Sequence, residues 1–332
     1  MLPSLYPGDD KAEEVRMIEE LSAILPIEIF DERARAAFYP DSQLERLASG
    51  ATWSEGPAWL DGQGLLVWSD IPANRMLSWS AQDGLRVFRE NCEFTNGNTI
   101  DREGRLVSCS HGRRAIERTA QDGRVETLVD RFDGRRLNSP NDVVVKSDGT
   151  IWFSDPPYGI VSDREGHKAP SEQTGNHVYR FDPATGEITI ATDRIEEPNG
   201  LAFSPDEMVL YVSDTSAALR DDGTGNHHIL SFDVVDGQCL TSPRVFAVVE
   251  PGLADGFRVD ARGWIFTSSA DSIQLYHPDG TRLARIPVPE KVSNCTFGGP
   301  NGDELFITAT TSLYRIRLAT RAAARPVQDM PA

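Results

Sequence analysis

Apolar and polar positions along this chain repeat in one order: a polar opening, an apolar strand, a Gly- or Asp-bearing turn, and a second apolar run. The plainest copy runs from Pro198-Asn199-Gly200 through Leu201-Ala202-Phe203 and Pro205-Asp206 to Val209–Ser213. Six copies are present, opening at Ser54-Glu55-Gly56, Thr95-Asn96-Gly97, Pro140-Asn141-Asp142, Pro198-Asn199-Gly200, Ala254-Asp255-Gly256 and Ser293-Asn294-Cys295. Their second runs are Leu65–Ser69, Arg105–Ser108, Thr150–Ser154, Val209–Ser213, Trp264–Ser268 and Glu304–Thr308. Turns such as Asp61-Gly62, Asp148-Gly149 and Arg262-Gly263 join the runs, which is hairpin chemistry.

A second hairpin follows in each of the first five copies. These are Met76–Ser80 with Leu85–Arg89, Ile116–Thr119 with Val125–Val129, Val178–Phe181 with Ile188–Ala191, Ile229–Phe232 with Arg244–Val248, and Ile273–Tyr276 with Arg282–Ile286. Self-similarity at a spacing of roughly 40 to 60 residues marks a propeller or solenoid. Four strands in each of six units predict an all-β fold, a six-bladed β-propeller. The sixth unit offers Leu313–Leu318 as a third strand and then only a weak Arg325-Pro326-Val327. Leu44–Leu47 stands where a fourth strand would. The pattern therefore predicts that this N-terminal strand completes the last blade and removes its open edge.

Residues 1–42 precede the repeats and read as an N-terminal helical extension to a propeller spanning 43–332. Val15, Ile18, Leu21 and Ile24 recur at helical spacing across Lys11–Leu25, Asp9-Asp10 sits at the N-terminal end and Pro26 stops the run. Phe30, Phe38 and Tyr39 are the expected anchors. This stretch is too acidic and too broken to be a secretory signal.

Composition narrows the function. The 332 residues are 39% hydrophobic and 25% charged, enough for a large core. A formal charge of −18 disfavours nucleic acid and anionic membranes as natural partners. No run approaches the roughly 18 apolar residues of a membrane span. Cys92, Cys109, Cys239 and Cys295 lack CxxC spacing, so buried free thiols in a reducing, cytoplasmic setting are expected. No oligomeric state follows from the pattern.

In a propeller the first strand of each blade lines the central channel, so the six openings should form a ring at one end. Glu55, Asn96, Asn141, Asn199, Asp255 and Asn294 are the residues brought together. A single Asn or Asp at a strand start is explained by turn chemistry. Six in register, with Gly beside four of them, point to a site. Two carboxylates with several amides supply hard oxygen and almost no nitrogen or sulfur. That inventory suits Ca²⁺, Mg²⁺ or Mn²⁺, with Zn²⁺ possible in an open site.

These residues carry a family resemblance. Ser54-Glu55-Gly56-Pro57, Asn138-Ser139-Pro140-Asn141-Asp142, Phe153-Ser154-Asp155-Pro156-Pro157-Tyr158-Gly159, Pro198-Asn199-Gly200, Ala254-Asp255-Gly256 and Asn294-Cys295-Thr296-Phe297-Gly298-Gly299 resemble the senescence-marker-protein (regucalcin)/gluconolactonase family. The resemblance runs from about residue 44 to 318. It implies a six-bladed propeller with one divalent cation, Ca²⁺ foremost, at the channel mouth. It also implies metal ligation by Glu55, Asn141, Asn199 and Asp255, with Asn96 and Asn294 free for substrate or water. The animal branch holds sugar hydroxyls with an arginine where this chain has Ser139, so its substrate does not carry over.

The long connections Pro156–Asn176 and Thr215–His227 should roof this ring, bringing Tyr158 over it, and Ser110–Arg114 should bring His111 to the rim as a substrate hydrogen-bond donor or proton shuttle. Asp70, Asp155 and Asp214 end second strands at this face and read as turn caps or ligand-orienting groups. No GxSxG elbow, HExxH or phosphate-binding Gly loop is present. The expected function is a metal-dependent hydrolase opening a small sugar-like lactone, with Asp255 as general base or nucleophile. An organophosphate or other ester hydrolase and a non-catalytic ligand-binding propeller are the alternatives.

Overall fold

Within each repeat the fourth strand is more exposed than the second. In the first unit Ser54–Leu60 is buried at six of its seven positions, whereas Gly84–Glu90 is partly or fully exposed throughout. A strand covered on both faces reads as a continuous apolar or small-residue run, and one covered on a single face alternates. The computed structural model, which describes residues 26–323, turns this contrast into six sheets arranged inner strand to outer strand.

Blade one contains Ser54–Leu60, Leu65–Asp70, Arg75–Ser80 and Gly84–Glu90, and blade two contains Thr95–Ile100, Leu106–Ser110, Ala115–Thr119 and Val125–Val129. Blade three is Val143–Val145, Ile151–Asp155, His177–Asp182 and Glu187–Thr192; blade four is Pro198–Phe203, Val209–Asp214, His228–Val235 and Cys239–Val248. Blade five has Phe257–Val259, Ile265–Ser268, Ser272–Tyr276 and Arg282–Pro287, extended by Glu28–Ile29 as a fifth strand. Blade six has Val292–Gly298, Glu304–Ala309 and Ser312–Arg317. Its fourth strand is Glu45–Ser49, which pairs antiparallel with Ser312–Arg317 through Glu45 opposite Arg315. The protein is a six-bladed β-propeller whose last blade is completed from the N-terminal side.

The expected helix over Lys11–Leu25 and the weak Arg325-Pro326-Val327 strand lie outside the described residues. The described part of the extension adds a short 3-10 helix, Glu32–Ala37, capped by the Asp31 side chain on the Arg33 N–H at 2.9 Å. Ala34 and Ala37 are fully buried against blades five and six, and Phe38 packs beside them. Phe30 and Tyr39 instead lie under the guanidinium groups of Arg282 and Arg317.

Core side chains sit between blades as well as within them. Trp68 and Trp79 of blade one pack with Phe306 and Leu313 of blade six, and Trp59 stacks on Phe306 at 5.3 Å. That contact seals the junction where the ring closes. Cys92, Cys109 and Cys295 are free and buried, as expected; Cys239 is free but exposed, because it begins the outermost strand of blade four. Among the described residues no helix is long and apolar enough to cross a membrane.

Candidate functional site

Four inner strands break register at the residues that open the repeats. The ladder shifts between Glu55 and Ala58, Thr95 and Asn98, Pro198 and Leu201, and Val292 and Asn294. A bulge re-aims the side chain at its position. In blades three and five, Asn141 and Asp255 precede the regular strand altogether. The sequence Gly beside the polar residue has a backbone reason. The Gly97 N–H donates to the Asn141 carbonyl of the next blade at 2.8 Å, and a Cβ on Gly97 would sit 2.4 Å from that oxygen. Gly200 and Gly256 make the same bond to Asp255 and Ser293 of their neighbours, at 2.9 and 2.8 Å.

A layer of hydroxyls holds this ring from behind. Each second strand contributes a buried hydroxyl to it: Ser69, Ser108, Ser154, Ser213, Ser268 and Thr308. Ser69 donates to the Asn96 carbonyl at 2.6 Å, Ser213 to the Asp255 carbonyl at 3.1 Å and Thr308 to the Asn294 carbonyl at 3.2 Å. Ser268 accepts from the Asp255 N–H at 2.8 Å. Sequence reasoning passed over these positions, although a Ser or Thr lies within the last three residues of all six second strands.

Within the ring, Glu55 is buried and its Oε2 accepts from the Gly56 N–H at 2.6 Å and Asn294 Nδ2 at 3.1 Å. Its Oε1 is buried with no partner. Asn294 spends its own Oδ1 on the Cys295 N–H at 2.8 Å, so its amide orients Glu55. Asn199 donates to Thr215 Oγ1 at 3.2 Å, and the same hydroxyl meets Tyr158 at 2.6 Å. Tyr158 thereby ties the helix Tyr158–Val161 of one long connection to the start of the other. Ser139, in the place of the animal arginine, accepts from the Gly159 N–H at 2.9 Å and donates to the Pro156 carbonyl at 2.6 Å. Here it is a fixing point for the connection over the ring.

His111 stands behind the rim. It is 1% exposed, and both ring nitrogens are engaged: Nε2 with Asn96 at 3.2 Å and Nδ1 with the Glu165 carbonyl at 2.8 Å. Burial pushes its pKa down to about 4. Asp70, Asp155 and Asp214 cap turns through backbone N–H groups of Thr52, Asn138 and Glu196.

The electrostatics favour a positive occupant. Burial lifts the Glu55 carboxyl well above the usual carboxylate range, and the Asp255 charge adds to this. Burial also lifts Asp255 to about 6, against the pull of Lys291 and an Asn199 hydrogen bond. Asp142, whose Oδ2 has no hydrogen-bond partner, is raised by burial against the pull of Arg258. Sequence reasoning did not single out Asp142. Acids crowded in a buried place hold protons because they lack a counter-charge. Among the described residues no three His, Cys, Asp or Glu side chains converge as a metal cluster. An ion here would therefore depend on amide oxygens beside the carboxylates, and the donors present fit a hard divalent cation. A separate cavity of about 420 Å³ lies at the far ends of the inner strands, lined by Trp59, Phe203, Arg258 and Phe297 among others.

Comparison with known proteins identifies the family. The family model for the SMP-30/gluconolactonase/LRE-like region matches residues 53–311. A gluconolactonase from Zymomonas mobilis is 32% identical over 324 residues, 90% of this chain and 88% of that protein. A pentonolactonase from Haloferax volcanii is 29% identical over 264 residues, 76% of this chain and 80% of that protein. The solved structure of a gluconolactonase from Xanthomonas campestris has a TM-score of 0.82 and 43% identity, covering 89% of this chain and 95% of the other. The chain belongs to the SMP-30/gluconolactonase/LRE-like family.

Proposed function

We propose that this protein is a divalent-cation-dependent lactonase that opens a small, sugar-like lactone at the mouth of the propeller channel. The observation that carries the reading is the ring itself: Glu55 and Asp255 with Asn141 and Asn199, and a buried Glu55 oxygen without a protein partner. The gluconolactonase and pentonolactonase relatives support the substrate class. Glu55, Asn141, Asn199 and Asp255 would hold the ion, with Ca²⁺ the best match to the donors. When bound, such an ion supplies polarisation of the lactone carbonyl and stabilisation of the developing oxyanion.

The chain's own residues account for the proton transfers. Asp255, ionised at neutral pH, takes a proton from water as the water oxygen bonds to the carbonyl carbon. The ring C–O bond then breaks, and the same proton returns to the leaving alkoxide to give the open hydroxy acid. Asp255 as a nucleophile would pass through an acyl-enzyme and reach the same products. Tyr158 walls the substrate space, with its hydroxyl held by Thr215. Free thiols fit a cytoplasmic protein.

A screen of aldonolactones against paraoxon-like phosphotriesters tests the reading, with metal-stripped protein as control. Lactone turnover that falls by about 10² or more in Asp255→Ala is expected. Turnover of phosphotriesters alone would move the protein to the organophosphate reading. No turnover under any metal condition would leave a binding propeller.

A further inference from the structure

His111 is buried with both ring nitrogens engaged, and its geometry acts on the ring. The Glu165 carbonyl can only accept, so the imidazole carries its hydrogen on Nδ1. Nε2 is then a bare lone pair, and it accepts from Asn96 Nδ2 at 3.2 Å. That bond decides which way the Asn96 amide faces. Its nitrogen points back to the imidazole and its Oδ1 is left buried without a partner, in the ring position next to Glu55. A protonated imidazole would have no acceptor to offer, and the ring stays neutral because its pKa lies near 4. The connection over the ring clamps this arrangement: Gly159 lies against the imidazole so closely that a Cβ would come within 2.5 Å of its Cγ.

An oxygen presented this way accepts hydrogen bonds and cannot donate. It suits an O–H and rejects a carbonyl or ether oxygen. Its burial favours an occupant as small as water. We propose that His111 is a positioning residue that turns Asn96 to accept one hydrogen of the water attacking the lactone. This rests on the lactonase reading and adds to it the residue pair that orients the nucleophile. The Asn96 bond fixes the direction of the water's lone pair without taking a proton.

Two measurements test it, one independent of turnover. Nitrogen-15 NMR of the imidazole in the resting protein at neutral pH should show a neutral ring protonated on Nδ1. A ring protonated on Nε2, or on both nitrogens, overturns the proposal. In kinetics, His111→Ala and Asn96→Ala should each lower kcat by about tenfold or more with KM nearly unchanged. His111→Ala added to Asn96→Ala should cost little more, because both act through one bond. His111→Gln should recover most of the rate, since its amide can accept from Asn96 and donate to the Glu165 carbonyl. A raised KM with unchanged kcat, additive losses, or no rescue by Gln would each sink the water-holding role. A wild-type protein that opens no lactone brings down the hydrolase reading and the water role together, while the NMR pattern still reports whether His111 orients Asn96.

Discussion

Glu55 and Asp255 differ from the amides around them in charge, and a divalent ion distinguishes charge from dipole. Replacing either by its amide keeps the shape and deletes one of the formal charges that would face the proposed ion. Glu55→Gln and Asp255→Asn should therefore weaken cation binding more than Asn141→Ala, which removes a neutral donor. Calorimetry giving equal affinities in all three variants would refute the ligand assignment. The same competition between proton and cation predicts a pH dependence. Above about pH 6 the Asp255 carboxylate is ionised and available; as pH falls through 6 a proton takes its place and affinity drops. A flat affinity between about pH 5 and 7 (of order one unit either side of the group) would separate Asp255 from the ion. The residue positions of the ring were legible because each lies at or just before the start of an inner strand in a repeated pattern. The setting of His111 was not, because nothing in Ser110–Arg114 shows that residues 159 and 165, far along the chain, fold over it.

At the scale of elements, period-two apolar runs with Gly-Asp turns determine where strands lie to within a residue or two outside blade four, whose outer strands His228–Val235 and Cys239–Val248 run longer than the expected Ile229–Phe232 and Arg244–Val248. Val125–Val129 is read at its observed bounds, and Leu65–Ser69 stops one residue short of its end. The bulges escaped, since a register shift depends on what the neighbouring blade's carbonyl needs, as at Gly97 and Asn141. The hydroxyl layer escaped because a Ser ending an apolar strand resembles any strand end. Closure of the last blade rests on one short element, Glu45–Ser49. Its Glu45 also meets Arg315 at 2.6 Å, an exposed pair that adds little. The backbone ladder is the larger contribution, because its loss would leave the edge of Ser312–Arg317 unpaired. Truncation through Ser49 should lower the melting temperature and promote association between chains. A truncated protein as stable and as monodisperse as the full chain, by calorimetry and light scattering, would show that closure does not need this strand.

For the whole molecule, the apolar core and the ring are separate sources of order. Buried clusters lie within and between blades, from Trp68 and Phe306 at the closing junction to Phe257 and Tyr276 beside blade four. None of these contacts passes through Glu55 or Asp255. The ring backbone is held by its own hydrogen bonds, such as Gly256 N–H to the Ser293 carbonyl. A bound cation then adds only its linkage contribution, about 2.7 kcal/mol at a hundredfold excess over Kd. Stripping the ion should abolish lactone hydrolysis, lower the melting temperature by several degrees and leave the far-ultraviolet β-sheet signal in place. Restoring Ca²⁺, Mn²⁺ or Zn²⁺ in turn should give rates that differ among ions, because carbonyl polarisation depends on the ion while scaffolding depends on it much less. Identical rates with every ion would assign it a scaffolding role. Collapse of the β signal on chelation would show that the ring, rather than the blades, holds the propeller together.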